Sequence, residues 1–163
     1  MQVDTSSLKR TAREARVLLL KAANQIGAGH VGGSLSEIEI LTALYFSVMR
    51  VDPKNPAWED RDRFILSKGH ASLGLYAVLA LCGYFGTDEM MTFDVTGTRL
   101  QAHPDMHKCP GIDYSSGSLG QGLSIGIGMA TGGQMRGKTF KTFVLVGDRE
   151  SQEGQVWEAL MYA

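Results

Sequence analysis

At 163 residues, with 44% hydrophobic and 20% charged side chains, the chain has the composition of one soluble globular domain with room for a sizeable core. Its formal net charge of −1 leaves no electrostatic footprint for nucleic acid or an anionic membrane, and no apolar run reaches the length of a membrane span. The opening MQVDTSSLKR lacks the apolar core of a secretory signal, and Cys82 and Cys109 lack zinc-site spacing and read as reduced thiols, so a cytoplasmic location is expected.

The first predicted element is a helix from about residue 7 to residue 26, with Leu8, Ala12, Ala15, Leu19, Ala22, Ala23 and Ile26 on its apolar face. Gly27-Ala28-Gly29 ends it, because glycine supplies the backbone angles of a helix stop. His30 follows in the glycine-rich loop GHVGGS, either as a turn residue or as a group with chemistry to perform. Ser34 and Ser36 each stand three residues before a glutamate, Glu37 and Glu39, and so predict overlapping capping boxes. The helix they open is expected to run to about residue 49, with Ile38, Leu41, Tyr45 and Val48 facing inward.

Pro53 and Pro56 mark a surface loop, after which Phe64-Ile65-Leu66 predicts a short strand. Ser67-Lys68-Gly69-His70 then turns into a helix lined by Leu73, Tyr76, Ala77, Ala80 and Leu81. At that turn His70 either caps the helix or donates to an anion, and Lys68 reads as a structural or surface charge. Residues 87 to 114 show no periodicity, and a stretch so long is functional or disordered. His103 and His107 have helical spacing for a metal, but Pro104 and the loop composition argue against it. GSLGQG, residues 117 to 122, opens a glycine-rich helix to about residue 136; its glycines cost about 1 kcal/mol each relative to alanine, so close approach of another backbone is expected.

The apolar run Phe143-Val144-Leu145-Val146 predicts a strand over about 141 to 146, buried on both faces as in a parallel sheet. It stops at Gly147-Asp148, and Val156, Trp157, Leu160 and Met161 then fall at helical spacing. Strand, Gly-Asp turn and helix place ligands at the carboxyl end of a parallel sheet: the aspartate can hold a hard divalent cation, and the helix N-terminus favours a bound phosphate. The expected fold is α/β, an incomplete doubly wound parallel sheet flanked by helices, with two strands near 63–66 and 141–146.

Four stretches together resemble the thiamine diphosphate-binding region of transketolases, most closely the form in which that region is a separate subunit. They are GHVGGSLS (29–36), SKGHA (67–71), GSLGQG (117–122) and GDRESQEGQVWEA (147–159), with Ala102-His103-Pro104 between the second and third. The resemblance covers nearly the whole chain and implies a partial diphosphate-binding domain over residues 1–163, thiamine diphosphate with Mg²⁺ or Ca²⁺ as cofactors, and sugar phosphates as substrates. It implies that His30 and His103 contact the substrate and that His70 donates to the diphosphate. Gly117 and Leu119 would lie against the cofactor's pyrimidine, and Asp148 would bind the metal, with Arg149 beside it in the cofactor site. Glu153 would couple at the dimer interface to a glutamate of the partner.

That partner glutamate belongs to a pyrimidine-binding C-terminal subunit or section, so the chain alone is not expected to turn over. Two departures bear on the metal site. The family motif reads Gly-Asp-Gly where this chain has Arg149, and the family's asparagine ligands on the next strand lie past Ala163. An uncovered sheet edge and the glycine-faced helix predict association, either with the C-terminal partner or as a homo-oligomer. The alternative reading is a non-catalytic remnant or interaction module that does not bind cofactor.

Overall fold

Residues 4–163 are described by a computed structural model. Helix α1 spans Thr5–Ile26. The Asp4 carboxylate accepts from the Ser6 and Ser7 amides at 3.1 and 3.2 Å, which satisfies two of the free N–H groups of the first turn. Gly27, at φ 71°, stops the helix in the left-handed conformation, as expected from the glycine run. The predicted face is the buried one: Ala12, Ala15, Leu19, Ala22 and Ala23 are all enclosed.

The next segment departs from the sequence expectation. A one-turn helix α2, Val31–Leu35, starts directly after His30, and α3 follows at Ile38–Ala43. Neither predicted capping box forms. Ser34 lies inside α2 and donates its hydroxyl to the Ala71 carbonyl at 3.1 Å, while Ser36 donates to the Gly33 carbonyl at 2.8 Å. Beyond α3 the chain runs as a π-helical turn, Leu44–Val48. A π turn takes up an extra residue, so the inward face advances by one position. Val48, expected inside, is exposed, and Met49 is buried in its place.

Strands β1, Arg63–Leu66, and β2, Thr142–Leu145, form a two-stranded parallel sheet with Phe64 opposite Phe143 and Leu66 opposite Leu145. Side chains alternate across it. Phe64, Leu66, Phe143 and Leu145 join the main core, while Ile65 and Val144 face helix α5, Gln121–Met135. Every residue of β2 is only half-buried, against the expectation of burial on both faces, because the sheet continues on one side of β2 alone. At the other edge, Asp113 accepts two hydrogen bonds from the Arg61 guanidinium, at 2.6 and 3.0 Å, and one from the Phe64 amide at 2.9 Å.

Helix α4, Ser72–Cys82, is the centre of the molecule: every residue from Ser72 to Ala80 is buried, packed among α1, α2 and α3. Its residues are apolar all round, as a helix enclosed on every side must be. Residues 87 to 114 contain a 3₁₀ segment, Thr87–Thr92, and otherwise irregular chain, as anticipated. The C-terminal part comprises α5, a 3₁₀ turn at Glu150–Gln152 and helix α6, Gly154–Tyr162. With α5 against one face of the parallel sheet and the main helical core against the other, where Phe64 meets Tyr45, the expected α/β class holds. No helix among the described residues is long and apolar enough to cross a membrane.

Candidate active site

Because β1 and β2 run parallel, their carboxyl ends emerge at one edge of the sheet. Ser67-Lys68-Gly69-His70 leaves β1 there, and Val146-Gly147-Asp148 leaves β2. The turn that opens α5, Gly117 to Gly120, reaches the same edge through Glu150. This glutamate is 2% exposed. Its Oε1 accepts from the Ser67 hydroxyl at 2.6 Å and from the Gly120 amide at 2.8 Å, and its Oε2 accepts from the Gly147 amide at 2.8 Å. The Ser67 oxygen in turn accepts from the Gly122 amide at 3.1 Å.

Two glycines are required here by space. A Cβ on Gly69 would stand 2.7 Å from the Ser116 carbonyl, so the SKGH and GSLGQG segments touch backbone to backbone. Gly120 has φ 79°, and a Cβ there would meet Gln155 Nε2 at 2.8 Å. That side chain donates to the Leu119 carbonyl at 2.9 Å and so ties α6 to the turn.

Three of the expected residues converge. The His30 and His70 rings meet edge to face with centroids 5.0 Å apart. His103 packs on Gly117, its Cδ2 lying 3.6 Å from where a Cβ would be. Burial lowers the His70 pKa, and the nearby His30, Lys68 and His103 lower it further, so the His70 imidazole is held neutral near pH 7. Glu153 stands immediately before α6, exposed and without a capping hydrogen bond, with its Cβ against Gly120. Asp148 and Arg149 are both exposed on the turn. Arg149 adopts φ −73° and ψ −37°, ordinary right-handed helical angles, so this turn does not call on glycine's conformational freedom.

Sequence reasoning missed the buried polar groups beneath this surface. Of the two readings of Lys68, structural or surface charge, the structural one holds: the side chain is buried, and its ammonium lies 3.0 Å from both the Glu37 carboxylate and the Gly33 carbonyl. Glu37, expected to complete a capping box, is 1% exposed; burial raises its pKa to about 7 against the pull of Lys68. The Glu37–Lys68 contact is an ion pair, without an aligned hydrogen bond to the carboxylate. The lysine in SKGH was a visible signal; nothing local in the sequence pointed to Glu37 or Glu150 as its fellow buried charges.

Two donors suit a bound phosphate: His70 and the Ser116 hydroxyl, which is buried without a hydrogen-bond partner beside Gly69. A cation would find the Asp148 carboxylate at the rim. Among the described residues no three His, Cys, Asp or Glu side chains cluster closely enough to hold a metal ion by themselves.

Comparison with known proteins agrees with this geometry. The sequence matches the family described as transketolase, thiamine diphosphate binding domain, over residues 7–163. It is 49% identical to a 6-deoxy-6-sulfo-D-fructose transketolase subunit of Clostridium sp. (strain MSTE9), over 96% of this chain and 57% of that protein. It is 42% identical to an apulose-4-phosphate transketolase subunit of Phocaeicola vulgatus, over 99% of this chain and 56% of the relative. The chain thus spans about half the length of these curated relatives. Among solved structures, the transketolase of Campylobacter jejuni superposes with a TM-score of 0.91 at 30% identity, over all of this chain and 26% of the other. The Pichia stipitis enzyme in complex with sedoheptulose-7-phosphate gives 0.90 at 31% identity, over 98% and 25%. A chain with these turns at one sheet edge, matched to that domain from residue 7 to its last residue, belongs to the transketolase family.

Proposed function

We propose that the chain is the thiamine diphosphate-binding part of a transketolase that transfers a two-carbon ketol unit from a ketose phosphate to an aldose acceptor. The observation that carries this reading is the convergence of His30, His70 and His103 on the edge where both strands end. When bound, thiamine diphosphate supplies the carbanion chemistry that breaks a carbon–carbon bond beside a carbonyl.

The protein's own groups do the remainder. His70 donates a hydrogen bond to the diphosphate, which a neutral imidazole in this position is able to do. His30 and His103, exposed at the mouth, contact the substrate's oxygens and move protons at them. Backbone at Gly117 and Leu119 would hold the pyrimidine. Asp148 would hold Mg²⁺ or Ca²⁺, which would supply positive charge for a diphosphate, with Arg149 beside it. Glu153, beside Gly120 on the exposed side, faces a complementary pyrimidine-binding subunit or section. The sulfofructose and apulose-phosphate names of the relatives point to sugar phosphates or sugar sulfonates as substrates. We place the working protein in the cytoplasm as an oligomer.

Catalysis by this reading is divided between parts, and proximity of the two supplies much of the rate. The test is a coupled assay of two-carbon transfer with excess cofactor. The chain alone is expected to give no turnover, and the chain with its complementary partner is expected to give turnover that is lost in His103→Ala. Steady transfer by the chain alone, abolished by His103→Ala, overturns the division of labour. Calorimetry with and without Mg²⁺ is expected to show cofactor binding that is metal-dependent and weaker than micromolar; no binding under any condition, with the complementary partner present, favours a module without cofactor.

A further inference from the structure

We propose that Glu150 is a positioning residue: its buried carboxylate joins the three turns of the candidate site and sets the height of the Gly147-Asp148 turn. This rests on the functional reading above for its purpose, though not for its geometry. Among the described residues no other side chain hydrogen-bonds to all three segments. Ser67 stands at the end of β1, Gly120 at the start of α5 and Gly147 at the end of β2, and the three are 53, 27 and 80 positions apart in sequence. Each gives its donor to the same carboxylate.

The donor pattern makes the choice of side chain specific. Gly120 and Gly147 each bring an N–H, which can only donate, and they point at different oxygens. The Ser67 hydroxyl, whose oxygen accepts from Gly122, gives its one proton to Oε1. Acceptors are therefore demanded on both Oε1 and Oε2, which a carboxylate offers and an amide does not. Glutamine in this place retains its oxygen where two donors converge and turns its NH₂ toward the Gly147 amide. The defect thus falls on one turn, the one that carries Asp148.

Amide hydrogen exchange of the chain without cofactor, read residue by residue, tests the positioning role. In Glu150→Gln the Gly147 amide is expected to exchange about tenfold or more faster than in the wild-type chain, the loss expected when a buried donor is left unpaired. Gly120, Gly122 and the core amide of Leu79 are expected to stay within about twofold, which a general loss of stability would not allow. Ser67→Ala gives the complementary pattern, with Gly122 released and Gly147 retained, and serves if the glutamine variant does not fold.

Equal acceleration at every amide, or none at Gly147, overturns the proposal. A second titration, of thiamine diphosphate with Mg²⁺, is expected to show affinity reduced about tenfold in Glu150→Gln, the equilibrium counterpart of the same lost bond. Affinity unchanged by the substitution also overturns the positioning role. Failure of the wild-type chain to bind cofactor, by contrast, counts against the functional reading and leaves the exchange result to decide the role of Glu150.

Discussion

Helices α4 and α6 are both apolar, yet one is sealed and the other open. From Ser72 to Ala80 no residue of α4 reaches solvent appreciably, whereas in α6 Trp157 is 59% exposed, Met161 81% and Tyr162 75%, with only Val156 and Ala159 buried. The difference lies in neighbours. α4 is wrapped by α1, α2 and α3, all drawn from the same stretch of chain; α6 has α5 on one side and nothing described on the other. An apolar periodic segment specifies a helix, but what covers it is decided by the topology around it.

The contrast is broken or sharpened by substitution. The largest effect is expected from Leu79→Ala at the enclosed centre: a cost of about 2–5 kcal/mol, read from the midpoint of urea unfolding. A cost below about 1 kcal/mol would mean that α4 is not the keystone of the core.

Next comes the pH dependence set by Glu37, the buried carboxylate behind the site. Its pKa rises from an ordinary 4.5 to about 7 in the folded protein. Below the lower value both states keep the proton. Between the two, the unfolded chain releases it and the folded chain does not, so stability falls as pH rises from about 4.5 to 7 and then levels. His70 works the other way: its lowered pKa costs stability as pH falls below the ordinary histidine value. The difference between wild type and Glu37→Gln isolates the glutamate, with a slope of up to about 1.4 kcal/mol per pH unit in that window. Parallel stability–pH curves would remove the buried-carboxylate account.

Within α5 the comparison can be made between two glycines two positions apart. A methyl at Gly126 would overlap the Val144 side chain, while at Gly128 it would meet nothing within 4 Å. Gly126→Ala is expected to destabilise by about 1–3 kcal/mol through overpacking, and Gly128→Ala to stabilise by up to about 1 kcal/mol through helix propensity. Thermal unfolding of the pair distinguishes them, and the same sign in both would show that α5 does not sit on β2 as described. The smallest effect on the folding of the isolated chain is expected from Trp157→Ala, within about 0.5 kcal/mol. Its larger effect should be on association: sedimentation of the wild-type chain at micromolar concentration is expected to show self-association, which Trp157→Ala together with Met161→Ala reduces.

Much of the fold was legible because it is written in local pattern. The α1 face, its glycine stop, both strands and the long irregular segment follow from spacing and turn chemistry. The positions of His30, His70 and Asp148 at strand or helix ends follow from the same pattern. What could not be read was set by partners distant in sequence. Ser34 and Glu37 fitted a capping pattern equally well, but Ser34 bonds Ala71 and Glu37 pairs with Lys68, contacts that exist only after α2 and α4 have packed. Val48 obeyed the helical period, and the π turn then moved it outside. Glu150 looked like one acidic residue among several after the Gly-Asp turn, and two of its three donors, Ser67 and Gly120, lie on distant segments.

The Asp113 carboxylate gives the sheet a direction of growth. The Arg63 and Ser67 amides, at the two ends of β1, point toward β2 and pair with the Lys141 and Leu145 carbonyls. The Phe64 amide, pointing the other way, is occupied by Asp113, itself clamped by Arg61. A strand arriving at that side would have to displace a buried, doubly bonded carboxylate before its first ladder bond could form. Among the described residues no side chain hydrogen-bonds to the backbone of Thr142–Leu145 in β2. Strand addition, whether from more of a homologous chain or from a foreign peptide, is therefore one-sided: β1 is a terminus, and β2 is a template.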